Sequence, residues 1–89
     1  MSGDPVWCPR VPVGALLRHD RTRGADVLLL PERVVVLHGS GRAVLDLCDG
    51  HRGVEEIAGL LAPDDGPEGR VRREVTSFLH RLRTEGALR

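Results

Sequence analysis

Cys48 and His51 stand at Cys-x-x-His spacing, the one local pair in this chain that resembles half of a metal site, and Cys8 with His38 would bring the donors to four. Structural zinc sites draw their ligands from two such close pairs. Here Cys8 and His38 are isolated, and Cys48 falls on the apolar face of a helical pattern, where a free thiol behaves as a small hydrophobe. Gly39-Ser40-Gly41 sets a serine between glycines, but the G-x-S-x-G nucleophile elbow needs glycine where His38 and Arg42 stand. Ser40 suits a helix cap instead. No glycine-rich phosphate loop of standard spacing occurs. The chain therefore reads as a non-enzyme with no metal and no cofactor of its own.

Charge narrows the partners. Thirteen arginines and no lysine balance thirteen acidic residues, and the pI of about 6.9 lies far below the basic footprint of most nucleic-acid-binding domains. Eighty-nine residues make a single domain with a modest core, and 40% hydrophobic with 29% charged residues is the balance of a folded chain. Two cysteines forty positions apart are too few for a disulfide-stapled secreted domain, so a reducing cytoplasm is the expected location. Pro5, Pro9, Arg10 and Pro12 break the N-terminal segment, which leaves no signal-peptide stretch, and no run approaches the ~20 apolar residues of a membrane span.

The elements that must position any binding surface are legible in outline. Residues 1–13 carry three prolines and read as an extended arm anchored by Trp7, with residues 14–89 forming the domain. Ala15 to His19 leads into the turn-forming cluster Asp20-Arg21-Thr22-Arg23-Gly24. The aliphatic runs Val27 to Leu30 and Val34 to Leu37, joined across Pro31-Glu32-Arg33, predict a β-hairpin with a type I turn. A three-stranded antiparallel meander follows. From residue 39 the apolar period shifts towards 3.6: Val44, Leu47 and Cys48 predict a helix capped by Ser40 and stopped by Gly50. Val54, Ile57, Leu60 and Leu61 predict a second helix ending at Pro63. Val71, Val75, Phe78, Leu79 and Leu82 form the stripe of a third, which Gly86 ends. The fold class is α+β and winged-helix-like, with the sheet preceding three helices.

Both faces of the hairpin strands are aliphatic, as though both were to be covered. Either the strand Arg33 to Leu37 is an ordinary buried strand, or it lies at a sheet edge where an extended peptide adds a further strand. On a helical wheel at ~100° per residue, Arg72, Thr76 and Arg83 border the last helix's apolar stripe on one side, next to Leu79. Glu74, Arg81 and Glu85 border it on the other. The basic border suits an acidic or amphipathic peptide, whereas solvated surface arginines would look the same. A winged-helix DNA-binding protein is the competing class. Against it, the link before the last helix is long and acidic through Asp64, Asp65 and Glu68, unlike the tight turn of a helix-turn-helix.

Leu17-Arg18-His19-Asp20-Arg21, Val27 to Glu32, Val34 to Leu37, Ala43-Val44-Leu45, Leu47-Cys48-Asp49-Gly50, Val54 to Ile57 and Phe78-Leu79 to Leu82 together resemble the PqqD family, over about residues 10 to 88. The most specific stretch runs from the Pro-Glu turn through Leu47-Cys48-Asp49-Gly50. PqqD proteins are peptide chaperones of pyrroloquinoline quinone (PQQ) biosynthesis. The resemblance implies that the leader of the precursor peptide PqqA is held as an added strand on the third strand, beside the third helix, and is presented to the radical-SAM enzyme PqqE. Carried onto this chain, the groove would comprise Val34, Val35, Val36, Leu37, Arg72, Arg73, Thr76, Leu79 and Arg83, the helix positions being chosen from the wheel. Family members often have glycine after Pro-Glu and asparagine after the strand, where this chain has Arg33 and His38. Related recognition domains serve other ribosomal peptides, such as mycofactocin, so the precursor's identity is less tightly implied than the binding mode. The protomer could be a monomer or a domain-swapped dimer.

Overall fold

The structure, a computed structural model, describes residues 6–89. Strands β1 (Leu16–Asp20), β2 (Ala25–Leu29) and β3 (Val34–Leu37) precede helices α1 (Gly41–Asp46), α2 (Val54–Leu61) and α3 (Arg70–Thr84). The strands form one antiparallel sheet in the order β1-β2-β3, as the sequence implied. The β1–β2 turn is tied by Asp20, whose carboxylate accepts the Thr22 and Arg23 N–H groups and the Arg23 guanidinium at 2.7 Å. Gly24 completes the reversal at φ +66°, where a side chain would be strained.

Register decides which residues the two aliphatic strands bury. Leu17 pairs with Leu28 and Leu28 with Val35, so these three share the inner face with Leu37. That face packs on the core formed with Val44, Leu45, Cys48, Ile57, Ala58, Val75, Leu79 and Leu82. Val34 and Val36 point the other way and stay 42% and 36% exposed, with Leu16 on the same outer face. Strand β3 is therefore buried on one face only, whereas β2 also buries Val27, 1% exposed, on the outer face.

The helices depart from the sequence expectation in three places. Ser40 occupies the N-cap position of α1, but its side chain makes no capping bond, and only its carbonyl accepts the Val44 N–H at 3.0 Å. Helix α1 ends at Asp46, before Gly50, whose N–H instead donates to Pro9 at 2.9 Å. In α2, Leu60 lies on the solvent side, and Ala58 takes the core position expected of it. Around the wheel Leu60 lies about 60° beyond Ile57 at one side of the Val54, Ile57 and Leu61 cluster, whereas Ala58 lies about 40° beyond Val54 at the other, the side that packs on the core.

The acidic connection before α3 is a cap. Asp65 accepts the Val71 N–H at 3.2 Å and the Arg72 N–H at 3.0 Å, satisfying first-turn donors that Gly69 has no side chain to meet. The segment that separates this chain from a helix-turn-helix thus starts its longest helix. The described part of the arm packs against the C-terminal end of α3 and the residues after it. Arg10 and Arg89 exchange backbone hydrogen bonds at 3.1 and 3.0 Å, Trp7 Nε1 donates to the Arg89 carbonyl, and the Trp7 ring sits under the Arg83 guanidinium, 4.5 Å from ring centre. Ala87 and Leu88, which no sequence period marked, are buried beside it.

Two solution properties follow. Asp20, Asp49 and Asp65 are all held below the usual carboxylate range, chiefly by the Arg23 side chain, the His51 N–H and the Arg72 N–H respectively. In the unfolded chain the same groups take up protons near pH 4, before the folded ones do. Their contribution to stability is therefore complete above about pH 4 and is lost as pH falls through the lower folded values. Thermal unfolding should occur at a steady temperature from pH 7 to 5 and at falling temperatures below about pH 4, with a shallower acid limb for Asp65→Asn.

Burial pushes the Cys48 thiol up to about 12, and its Sγ donates to the Val44 carbonyl at 3.4 Å. In native protein at pH 8 a thiol reagent should titrate Cys8, which is half-buried, with Cys48 reacting only as the domain unfolds. Prompt reaction of both would contradict this packing. Among the described residues, no three His, Cys, Asp or Glu side chains come together as a metal site, and no helix is long and apolar enough to cross a membrane.

A candidate peptide groove between strand and helix

Strand β3 is an end strand of the sheet, and among the described residues no main-chain group pairs with its outer edge. Which of its groups point outward follows from the hairpin. The Leu30 N–H donates to the Arg33 carbonyl at 2.9 Å, so Leu30 and Arg33 are a hydrogen-bonded pair. Antiparallel ladders alternate bonded and non-bonded pairs. Leu28 with Val35 and Asp26 with Leu37 are then bonded, and Leu29 with Val34 and Val27 with Val36 are not. The N–H and C=O groups of Val34 and Val36 are thus directed at the free edge. Among the described residues, the arm around Trp7 is engaged elsewhere, with Cys48 to Gly50 and Arg89.

Helix α3 meets β3 at its two ends in opposite order, its start near His38 and its end at Arg33, so helix and strand run in opposite directions. Near its start, Val71, Glu74, Val75 and Phe78 line a pocket of about 180 Å³ with His38, Ser40, Gly41 and Val44. Gly41 allows the close approach: a Cβ there would lie 3.3 Å from the Leu37 Cβ and 3.5 Å from the Phe78 ring. At the far end Arg33 reaches Glu85. The α3 residues that meet the two ends of β3 are therefore Val71, Glu74, Phe78 and Glu85, with Arg81 stacked 5.5 Å above the Phe78 ring.

These residues lie on the border of α3 opposite to the one chosen from the wheel. Arg72, Arg73 and Thr76 line a hollow against α2 with Glu55 and Pro67, and Arg72 pairs with Asp65 at 3.5 Å. Arg83 stacks on Trp7 at the arm, and Leu79 is wholly buried in the core. Of the nine expected residues, the structure brings together Val34, Val35, Val36 and Leu37, sets Arg72, Thr76, Leu79 and Arg83 elsewhere, and places Arg73 between the α2-side hollow and a second hollow that it shares with Glu74, Phe78 and Arg81. A wheel supplies two borders but not the side on which the strand lies, since that depends on how α3 packs against α1 and α2. Val71 and Phe78 were legible as apolar positions, and their place at the stripe's edge leaves them half-open to the groove.

A three-stranded antiparallel sheet whose end strand β3 is unpaired along its outer edge among the described residues, followed by three helices, defines a small α+β domain. The sequence family described as Coenzyme PQQ synthesis protein D (PqqD) matches residues 27–88. A curated relative, the PqqA binding protein of Xanthomonas campestris pv. campestris strain B100, is 39% identical over 80 residues, spanning 85% of this chain and 87% of its own. The bifunctional coenzyme PQQ synthesis protein C/D of Methylorubrum extorquens is 47% identical over 60 residues, or 67% of this chain and 16% of that longer protein. Among solved structures, the solution structure of the PqqD truncation of Methylobacterium extorquens PqqCD superimposes with a TM-score of 0.73 at 36% identity, covering 99% of this chain and 93% of that one. It is described as a functional, stand-alone recognition element for a ribosomally synthesised and post-translationally modified peptide. The crystal structure of PqqD from Xanthomonas campestris gives a TM-score of 0.57 at 34% identity, covering 100% and 98%. The chain belongs to the PqqD family.

Proposed function

We propose that this chain is a non-catalytic peptide chaperone of PQQ biosynthesis, which holds the leader of PqqA as a fourth strand on the open edge of β3 and presents it to the radical-SAM enzyme PqqE. The observation that carries this reading is the unpaired Val34 and Val36 edge lying beside the apolar wall of α3. Strand addition draws its affinity from main-chain hydrogen bonds and its selectivity from pockets for alternate side chains, and both kinds of group are present here. Relatives named for binding PqqA, or as recognition elements, support the same role. The groove proposed is Val34, Val35, Val36 and Leu37 with Val71, Glu74, Phe78 and Arg81. A backbone NMR titration with PqqA tests it: shifts should concentrate in residues 33–38 and along that wall of α3. Unmoved β3 resonances at saturating peptide would reject the assignment.

Charge reversal separates the two helix borders. Arg81→Glu should weaken binding of an acidic leader several-fold through the altered charge match. Arg72→Glu combined with Arg83→Glu, on the far border, should leave affinity nearly unchanged. The opposite ranking in a calorimetric titration would put the peptide on the α2 side of the helix.

A further inference from the structure

One side chain crosses the end of the groove. Arg33 follows the Pro31-Glu32 turn, and its guanidinium leaves the sheet to reach the C-terminus of α3, where Nη2 donates to the Glu85 carbonyl and Nη1 stands 3.9 Å from the Glu85 carboxylate. Among the hydrogen bonds and ion pairs of the described residues, this is the one side-chain link between the start of β3 and α3. Its chemistry is clear: the last carbonyls of a helix carry partial negative charge, and Glu85 adds a full one. The link is also readily exchanged, since the Arg33 and Glu85 side chains are 38% and 43% exposed and an ion pair so open to water holds weakly. A strand laid along Val34 and Val36 would meet it end-on.

We propose, building on the strand-addition reading, that Arg33 determines specificity at this end of the groove: it releases Glu85 and takes a carboxylate of the incoming peptide, thereby selecting a leader with Asp or Glu beside the start of β3. Arginine suits the exchange because its planar fork binds a carboxylate through two parallel hydrogen bonds. Glu85 serves as the placeholder, keeping the guanidinium paired and aimed across the groove until a peptide carboxylate replaces it. Nothing in the core depends on the pair, because both side chains lie at the surface and Arg33's ladder contact is made by its backbone carbonyl.

The test uses the full chain and the PqqA leader, together with a set of leaders in which each Asp and Glu in turn becomes its amide. For the parent, one of these amide peptides should bind about tenfold more weakly than the leader itself, as expected for loss of a charge-assisted pair. Arg33→Gln should weaken the unmodified leader by a similar factor and bind that amide peptide no worse than the leader. Glu85→Gln should bind the leader several-fold more tightly, because a competing carboxylate is gone. Amide spectra of both variants should retain the parent dispersion. If the parent discriminates against none of the amide peptides, or if Arg33→Gln keeps the parent's discrimination, the inference fails while strand addition stands. If the parent binds no leader at all, both fail together.

Discussion

Val36→Pro is expected to weaken peptide binding by at least about tenfold while leaving the domain folded, which corresponds to about 1.4 kcal/mol or more. The expectation comes from the direction of one N–H group. Val36 forms a non-bonded pair with Val27, so its N–H faces the free edge of β3 and takes no part in the ladder with β2. Proline removes that donor, and its ring stands where an added strand must approach. It costs the native sheet little, because a proline whose missing N–H faces outward is tolerated on an edge strand, and it favours the extended conformation that Val35 already has. Val35→Pro provides the contrast. Val35 is bonded to Leu28, so the same substitution one residue earlier breaks the ladder beside the core and should unfold or badly destabilise the protein. Circular dichroism and a calorimetric titration distinguish the two. A Val36→Pro protein that binds PqqA like the parent would show that the leader does not use this edge.

Leu79→Ala should lower the free energy of unfolding by about 2–5 kcal/mol, the range seen when a buried leucine leaves a cavity. Domains commonly have only about 5–15 kcal/mol of stability, and an 89-residue chain with a modest core belongs near the lower end. The substitution should therefore bring the protein close to half-unfolded at physiological temperature, visible as a large shift of the urea midpoint with little change in slope. Leu79 is 0% exposed and shares its cluster with Leu28, Leu45, Ile57 and Leu82, where the sheet meets all three helices. Any loss of peptide binding in this variant would thus follow the folded fraction. Leu60→Ala, on the exposed side of α2, should change stability by a few tenths of a kcal/mol. Comparable losses in the two variants would mean that the core is not centred on α3.

The open edge also gives the outer sheet face a context. Leu16, Val34 and Val36 remain exposed there, and a strand added to β3 would continue this face with its own alternate side chains. In the bifunctional C/D protein of Methylorubrum extorquens the region homologous to this chain forms part of a longer PQQ synthesis protein.

Local pattern alone determined much of this protein. Aliphatic runs of strand length around Pro31-Glu32 predicted a hairpin, and the 3.6-residue recurrence from Val71 to Leu82 predicted an amphipathic helix, because that period brings apolar side chains onto one helical face. The motif order from Leu17 to Gly50 was sufficient to suggest the family. Three matters lay beyond local pattern, each because it depends on groups distant in sequence. Ladder register sent Val35 and Leu37 inward and turned the Val34 and Val36 backbone outward. Packing of α3 against α1 and α2 put Phe78 and Glu85 beside β3 and carried Arg72, Thr76 and Arg83 away from it, a choice between two borders that no wheel makes. Among the described residues the arm's partners are Cys48 to Gly50 and Arg89, and no main-chain group pairs with the outer edge of β3.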